Sequence, residues 1–334
     1  MDHKRILSRA WTITWRYRAL WLFGFLFALA SGVSFTGLRN LGGGGSGRGG
    51  NGGGSAPSGN PFGNLPGNID WNTVAIIVLA VVAIVLVLVV LMAVVRYVAE
   101  TAMIAGVDEI ESTEAKFTVR RGFRLGWSRQ AFRLFLTDLA IRVPLTIAAI
   151  VLLAAALSPL LLLLLKVKGL QLGAILAAPL GLLALLLILG AVLVVSLITP
   201  YIYRRVVLGK QGVFASIRQG WTLVRASLSE TGLMWLVLAA FRLLWPLVMV
   251  PVLIVGVIVA SVVGGVPAGL AYLISRSWVA AVVVGLPLFL IVFVPAVAYV
   301  QGLFELYQST TWTLAYRETM ARHGELLVAP ASGA

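Results

Sequence analysis

Long apolar runs alternate along the chain with short basic and aromatic stretches. From Val74 to Val95 the sequence VAIIVLAVVAIVLVLVVLMAVV carries no charge. It exceeds the roughly 18 apolar residues that cross about 30 Å of hydrocarbon as a helix. A spanning strand would need only about 10 residues and would alternate in polarity, which this run does not. The pattern predicts an all-α polytopic membrane protein with six spans at about 19–37, 72–97, 134–157, 174–199, 233–260 and 278–300.

Three of the polar stretches align: Ser8-Arg-Ala-Trp-Thr-Ile13, Arg120-Arg-Gly-Phe-Arg-Leu125 and Arg218-Gln-Gly-Trp-Thr-Leu223. In each, a polar or basic pair precedes a small residue, an aromatic and, two positions on, an aliphatic. An apolar run follows, then a connection, a second run and a tyrosine: Tyr97, Tyr201 and Tyr307. This order predicts three parallel repeats of a basic interfacial helix plus a helical hairpin, at 1–110, 111–211 and 212–322, within one membrane domain over 1–334. The competing reading is that such flanks arise independently wherever a span meets the interface. Between the first two spans, 37–70 is rich in glycine and is expected to be a disordered external loop. Its Gly45-Ser-Gly47-Arg-Gly49-Gly50 matches a dinucleotide fingerprint by chance, with no strand before it. Residues 323–334 form a C-terminal tail. Leu20–Leu29 followed by Ala28-Leu-Ala30 has the form of a signal peptide, but the recurrence of the basic stretch before it favours a retained span.

Composition agrees: 60% of residues are hydrophobic, 11% are charged and the mean hydropathy is +0.99, against about a quarter charged in soluble proteins. A net charge of +14 would point to nucleic acid in a soluble chain. Here most of the Lys and Arg fall in the N-terminus, 96–133 and 204–225, on one side of the predicted spans. The positive-inside rule then gives a multi-pass protein of the cell membrane with both termini cytoplasmic and no nucleic-acid partner. In VRRGFRLGW, Val119–Trp127, the residues Arg120, Arg121 and Arg124 can snorkel to headgroups while Phe117, Val119, Phe123 and Trp127 face lipid. Arg218, Trp221 and Arg225 form the corresponding set in the third stretch. Each basic residue near an acidic surface is worth about 1 kcal/mol. The expected partners are membrane lipids, anionic ones above all, or another membrane protein. The plainer reading is that these stretches only anchor the protein and fix its topology.

Chemistry is poorly supplied. There is no cysteine, and the two histidines, His3 and His323, lack metal-ligand spacing. No phosphate loop, nucleophile elbow or zincin motif occurs, so no catalytic residue, metal or cofactor is expected, and the chain reads as non-enzymatic. Asp108, Glu109, Glu111 and Glu114 suggest a solvated, charge-balancing linker. Charges inside spans cost at least about 2.5 kcal/mol near the bilayer centre. Asp138 and Arg142 are spaced to pair on one helix face, and Arg242 sits about 13 Å into its span. Glu100, Glu230 or Glu305 would have to balance the second arginine. Asp138, Arg142 and Arg242 therefore form either a structural charge seam or the site of an anionic solute or lipid that is transported.

Tyr201-Ile-Tyr-Arg-Arg-Val-Val followed by Phe214-Ala-Ser-Ile-Arg-Gln-Gly-Trp-Thr-Leu resembles the integral membrane proteins grouped with the membrane domain of glycerophosphoryl diester phosphodiesterases, over roughly 75–320. The resemblance implies a six-helix-type membrane domain with no established chemistry of its own. The histidine and acidic ligands of the catalytic members have no counterpart here, so no catalytic residue carries over.

Overall fold

A computed structural model describes residues 2–32, 71–113, 116–164 and 171–323. The described elements are helices: α1 (His3–Arg16), α2 (Ala19–Ala30), α3 (Trp71–Thr113), α4 (Val119–Gly126), α5 (Arg129–Leu164), α6 (Gln171–Val207), α7 (Val213–Ala226), α8 (Leu228–Ser275) and α9 (Trp278–His323). Five stretches are long and apolar enough to cross a membrane: Val78–Thr113, Arg129–Ser158, Pro179–Val207, Leu228–Ser275 and Trp278–Arg322. The protein is an all-α polytopic membrane protein.

The first predicted span is described only as far as Gly32. Helix α2 has 12 residues, a rise of about 18 Å, short of the hydrocarbon thickness. Ser31 caps it and Gly32 follows at a φ of 70°, the left-handed conformation that ends helices. The rest of that predicted span, the glycine-rich loop 37–70 and the tail 324–334 lie outside the described residues. The fifth span is longer than expected. The expected span ends near residue 260, but α8 runs on to Ser275 and turns at Arg276, at a φ of 52°. Small residues permit the extension: a Cβ on Gly264 would lie 2.6 Å from the Gly285 carbonyl oxygen, and one on Gly285 2.5 Å from the Ala268 Cβ. Helices α8 and α9 therefore stay in backbone contact to the end of the hairpin.

Helices α3, α6 and α9 continue past the apolar region into a bundle at the arginine-rich end. Its core includes Ile13, Leu20, Phe23, Met103, Tyr201, Leu223, Met234 and Leu306. The last turns of α9 run through its middle, with Thr310 to Tyr316 all buried. The short helices wrap this core in cyclic order, α4 against α3, α7 against α6 and α1 against α9. Helix α1 shows why: Ile6, Ala10, Ile13 and Thr14 form a helical stripe and are buried, and Asp2 caps the N-terminus by accepting from the Arg5 amide.

Two of the short helices cross a long helix at a glycine. A Cβ on Gly126 would lie 2.5 Å from the Val98 carbonyl oxygen, and one on Gly220 2.7 Å from the Ile202 side chain. Val98 and Ile202 each follow the marker tyrosine, Tyr97 and Tyr201. Gly126 and Gly220 each precede a tryptophan. Ala10, before Trp11, is fully buried in the same manner. Gly122 is buried beneath Phe23 and Phe117.

Candidate functional site

Within the spans, Asp138 is the centre of a closed polar cluster. Helix geometry sets Arg142 one turn from it, and the Arg142 Nε donates to Oδ1 at 2.6 Å. The Tyr97 hydroxyl from α3 donates to Oδ2 at 2.7 Å, and the Tyr203 hydroxyl from α6 donates to Oδ1. The Asp138 side chain is only 7% exposed, whereas that of Arg142 is 56% exposed. One carboxylate thus joins three helices. The expected pair is present; the two phenols were not anticipated, since Tyr97 had served only as a repeat marker and Tyr203 carried no pattern.

Arg242 is placed elsewhere. It is exposed on α8, donates to Gln308 Oε1 at 2.7 Å and lies within electrostatic reach of Glu305. Gln301 donates to Glu305 at 3.1 Å and accepts from the Trp245 indole at 2.8 Å. Among the described residues no hydrogen bond or ion pair joins Arg242 to Asp138 or Arg142. The three residues form two separate centres. Of the other carboxylates considered as partners, Glu230 bonds Arg322 at 3.2 Å, and Glu100 faces Arg96 and Arg204.

Arg204, counted by sequence among the flanking basic residues, is 4% exposed. Its guanidinium donates to the Pro200 carbonyl at 3.0 Å, to the Ser309 carbonyl at 3.0 Å and hydroxyl at 3.2 Å, and to the Thr313 hydroxyl at 3.4 Å. With Glu100 as its countercharge it ties α6 to the axial helix α9. The hydroxyl-rich run of α9, Ser309 to Thr313, is the signal in the sequence that a buried donor must be satisfied there.

The short helices carry the second set. Thr118 caps α4 through its hydroxyl, and Arg121 is held by Glu109 at 2.9 Å. Arg120, Phe123, Arg124 and Trp127 are exposed, as are Arg218, Trp221 and Arg225 on α7. Trp127 is 73% exposed, and Phe214 on α7 83%. Arg120, Arg124, Arg218 and Arg225 hold no ion pair among the described residues. Phe117 is corrected: it is buried under Gly106 and Gly122 and does not face outward. On α1, Trp11 and Trp15 are exposed with ring centroids 5.5 Å apart.

The acidic stretch is also corrected, from a linker to the last turns of α3. Asp108 pairs with Arg317, Glu109 with Arg121, and Glu111 with Arg9 at 2.7 Å. Each reaches a different helix, α9, α4 or α1. Such part-exposed pairs contribute at most about 1 kcal/mol each, so they orient the ring more than they hold it. Glu114 lies outside the described residues. Among the described residues no group of three or more His, Asp or Glu could hold a metal ion.

A model of a family of unknown function, DUF7544, matches residues 6–315. No curated protein and no solved structure matches the chain.

Proposed function

We propose, for a chain that belongs to the DUF7544 family of unknown function, a non-enzymatic role in the cell membrane: engagement of anionic lipid through the basic and aromatic faces of α1, α4 and α7. The observation that carries this reading is the exposure of Arg120, Arg124, Arg218 and Arg225, without ion pairs among the described residues, beside exposed Phe123, Trp127, Phe214 and Trp221. Arginines over a lipid surface with aromatic rings at the same level form an interfacial anchor with a preference for acidic headgroups. We read the three short-helix-plus-hairpin units as repeats, and the shared crossing of Gly126 and Gly220 next to Tyr97 and Tyr201 supports that reading. The likeness to the membrane domain of glycerophosphoryl diester phosphodiesterases fits the same picture, since that domain has no established chemistry of its own.

The alternative, transport of an anionic solute past Asp138, Arg142 and Arg242, is less well supported. Asp138 already accepts from three donors of this chain, and Arg242 lies on an exposed face apart from it. A seam that fixes helix packing suits both facts.

Native mass spectrometry of protein extracted from mixed bilayers tests the lipid reading. Replacing Arg120, Arg124, Arg218 and Arg225 together by glutamine is expected to cut the enrichment of anionic over zwitterionic lipid at least tenfold, since each contributes about 1 kcal/mol. Equal enrichment in both proteins would remove the proposal. The orientation, with the arginine-rich end and both termini in the cytoplasm, has its own test. The protein has no native cysteine. Ser275→Cys, exposed at the far turn, should react with an impermeant maleimide in intact cells, and Gly212→Cys, with open space around its Cα, should not. The reverse labelling would invert the topology.

A further inference from the structure

A groove of about 670 Å³ lies between α3 and the start of α5. Val90, Val94, Phe132 and Phe135 are among the residues that form its walls, and Tyr97 lies at its back. That volume is in the range of small-molecule and cofactor sites. The two ends differ in chemistry. From Val89 to Val98 the α3 wall runs about 13 Å along the helix, and its Val89 end is apolar. At the other end the lining is Trp127, Ser128 and Arg129, at the junction of α4 and α5. Arg129 is exposed and holds no ion pair among the described residues. The Ser128 Oγ is buried and has no hydrogen-bond partner among the described residues. The back wall is rigid, because the Tyr97 hydroxyl is committed to Asp138 at 2.7 Å and its ring packs against Phe135 at 5.4 Å.

An apolar trough that ends on an exposed arginine without an ion pair among the described residues is complementary to an amphiphile with a negative head. We propose that this groove is a specific site for one anionic glycerophospholipid, with an acyl chain between α3 and α5 and its phosphate on Arg129. The inference rests on the lipid-engaging reading above and deepens it, from a diffuse basic surface to a single site. A helix of a second copy is the rival occupant. Charge argues against it, because a spanning helix would bring no anion to Arg129 and would lie along the whole exposed face of α3, not only the arginine-rich end.

The test uses the full chain reconstituted in phosphatidylcholine bilayers, with a trace of phosphatidylglycerol or phosphatidylcholine carrying a diazirine in one acyl chain. After irradiation, adducts are mapped by peptide mass spectrometry. Adducts are expected on residues 89–98 and 131–135, at least fivefold more with the phosphatidylglycerol probe. Val94→Trp fills the groove at an exposed wall position and should abolish them with both probes, while Arg129→Gln should remove the headgroup preference and leave a low, equal yield. Equal labelling by the two probes in the unaltered protein, or labelling indifferent to Val94→Trp, overturns the site. So does the absence of adducts on residues 89–98 and 131–135 with both probes. Arg129 is not among the four arginines of the broader test. A loss of anionic enrichment in that quadruple variant, with groove labelling indifferent to Val94→Trp, would therefore sink this site and leave the surface reading standing.

Discussion

Asp138→Asn is expected to be among the most destabilising polar substitutions in the protein, by about 3 kcal/mol, the cost of removing one partner of a buried ion pair. The carboxylate accepts from Tyr97, Tyr203 and Arg142 at once. An amide offers one oxygen to three donors and turns its own N–H groups on the rest. The half-exposed Arg142 places the loss at the low end of the range, since its free N–H groups can reach toward headgroups. Equilibrium unfolding in mixed micelles measures the effect. Asp138→Leu with Arg142→Leu should recover part of it, and adding Tyr97→Phe and Tyr203→Phe should recover more, because the two phenols are otherwise left buried without an acceptor. If Asp138→Asn lies within about 0.5 kcal/mol of the unaltered protein, as ordinary surface changes do, the cluster is hydrated and the seam does not exist.

Gly302→Leu should act on a similar scale through sterics alone. A Cβ there would lie 2.6 Å from both the carbonyl carbon and oxygen of Gly24 and from the amide nitrogen of Phe25. The obstacle is backbone on both sides, so no rotamer change relieves it, and α2 and α9 must separate. Overpacking typically costs about 1–3 kcal/mol and sometimes more; about 3 kcal/mol is expected, because separation also uncovers Leu20 and Phe23, which are fully buried. Amide hydrogen exchange across α2 should rise in parallel. Gly265→Leu is the control: its Cβ meets nothing within 4 Å, so its stability should stay within about 0.5 kcal/mol. Equal effects of the two substitutions would mean that helix propensity, not the crossing, governs both.

The five long helices were legible because uncharged runs of this length have no other stable form in a bilayer. The extent of α2 was not, since Leu20 to Leu29 is apolar enough to suggest a span, and only the left-handed Gly32 stops the helix. Hydropathy also could not tell the end of α8, where the packing of Gly264 on α9 decides how far the hairpin stays together. The Asp138–Arg142 pair followed from spacing, whereas its phenol partners come from α3 and α6 and depend on tertiary placement. Arg204 was hidden by its company: beside Arg205 in a basic flank it reads as a surface charge, yet it is the one that points into the axis, while Arg205 bonds Gln219 on α7 at 2.5 Å.

The cyclic wrapping of the short helices bears on how the protein is made. Helix α1 closes the ring on α9, and the middle of the bundle is filled by Thr310 to Tyr316. A ribosome delivers α1 and α2 first and the axial segment last. Until then the apolar stripe of α1 and the Gly24 face of α2 lack their neighbour on α9, and the Arg204 guanidinium lacks Ser309 and Thr313. Biogenesis thus runs against the logic of the finished molecule, its keystone being the last described piece to emerge. Nascent chains halted before Gln301 should therefore be the species that insertion factors hold and quality-control proteases remove, even though most of their spans are already in the bilayer.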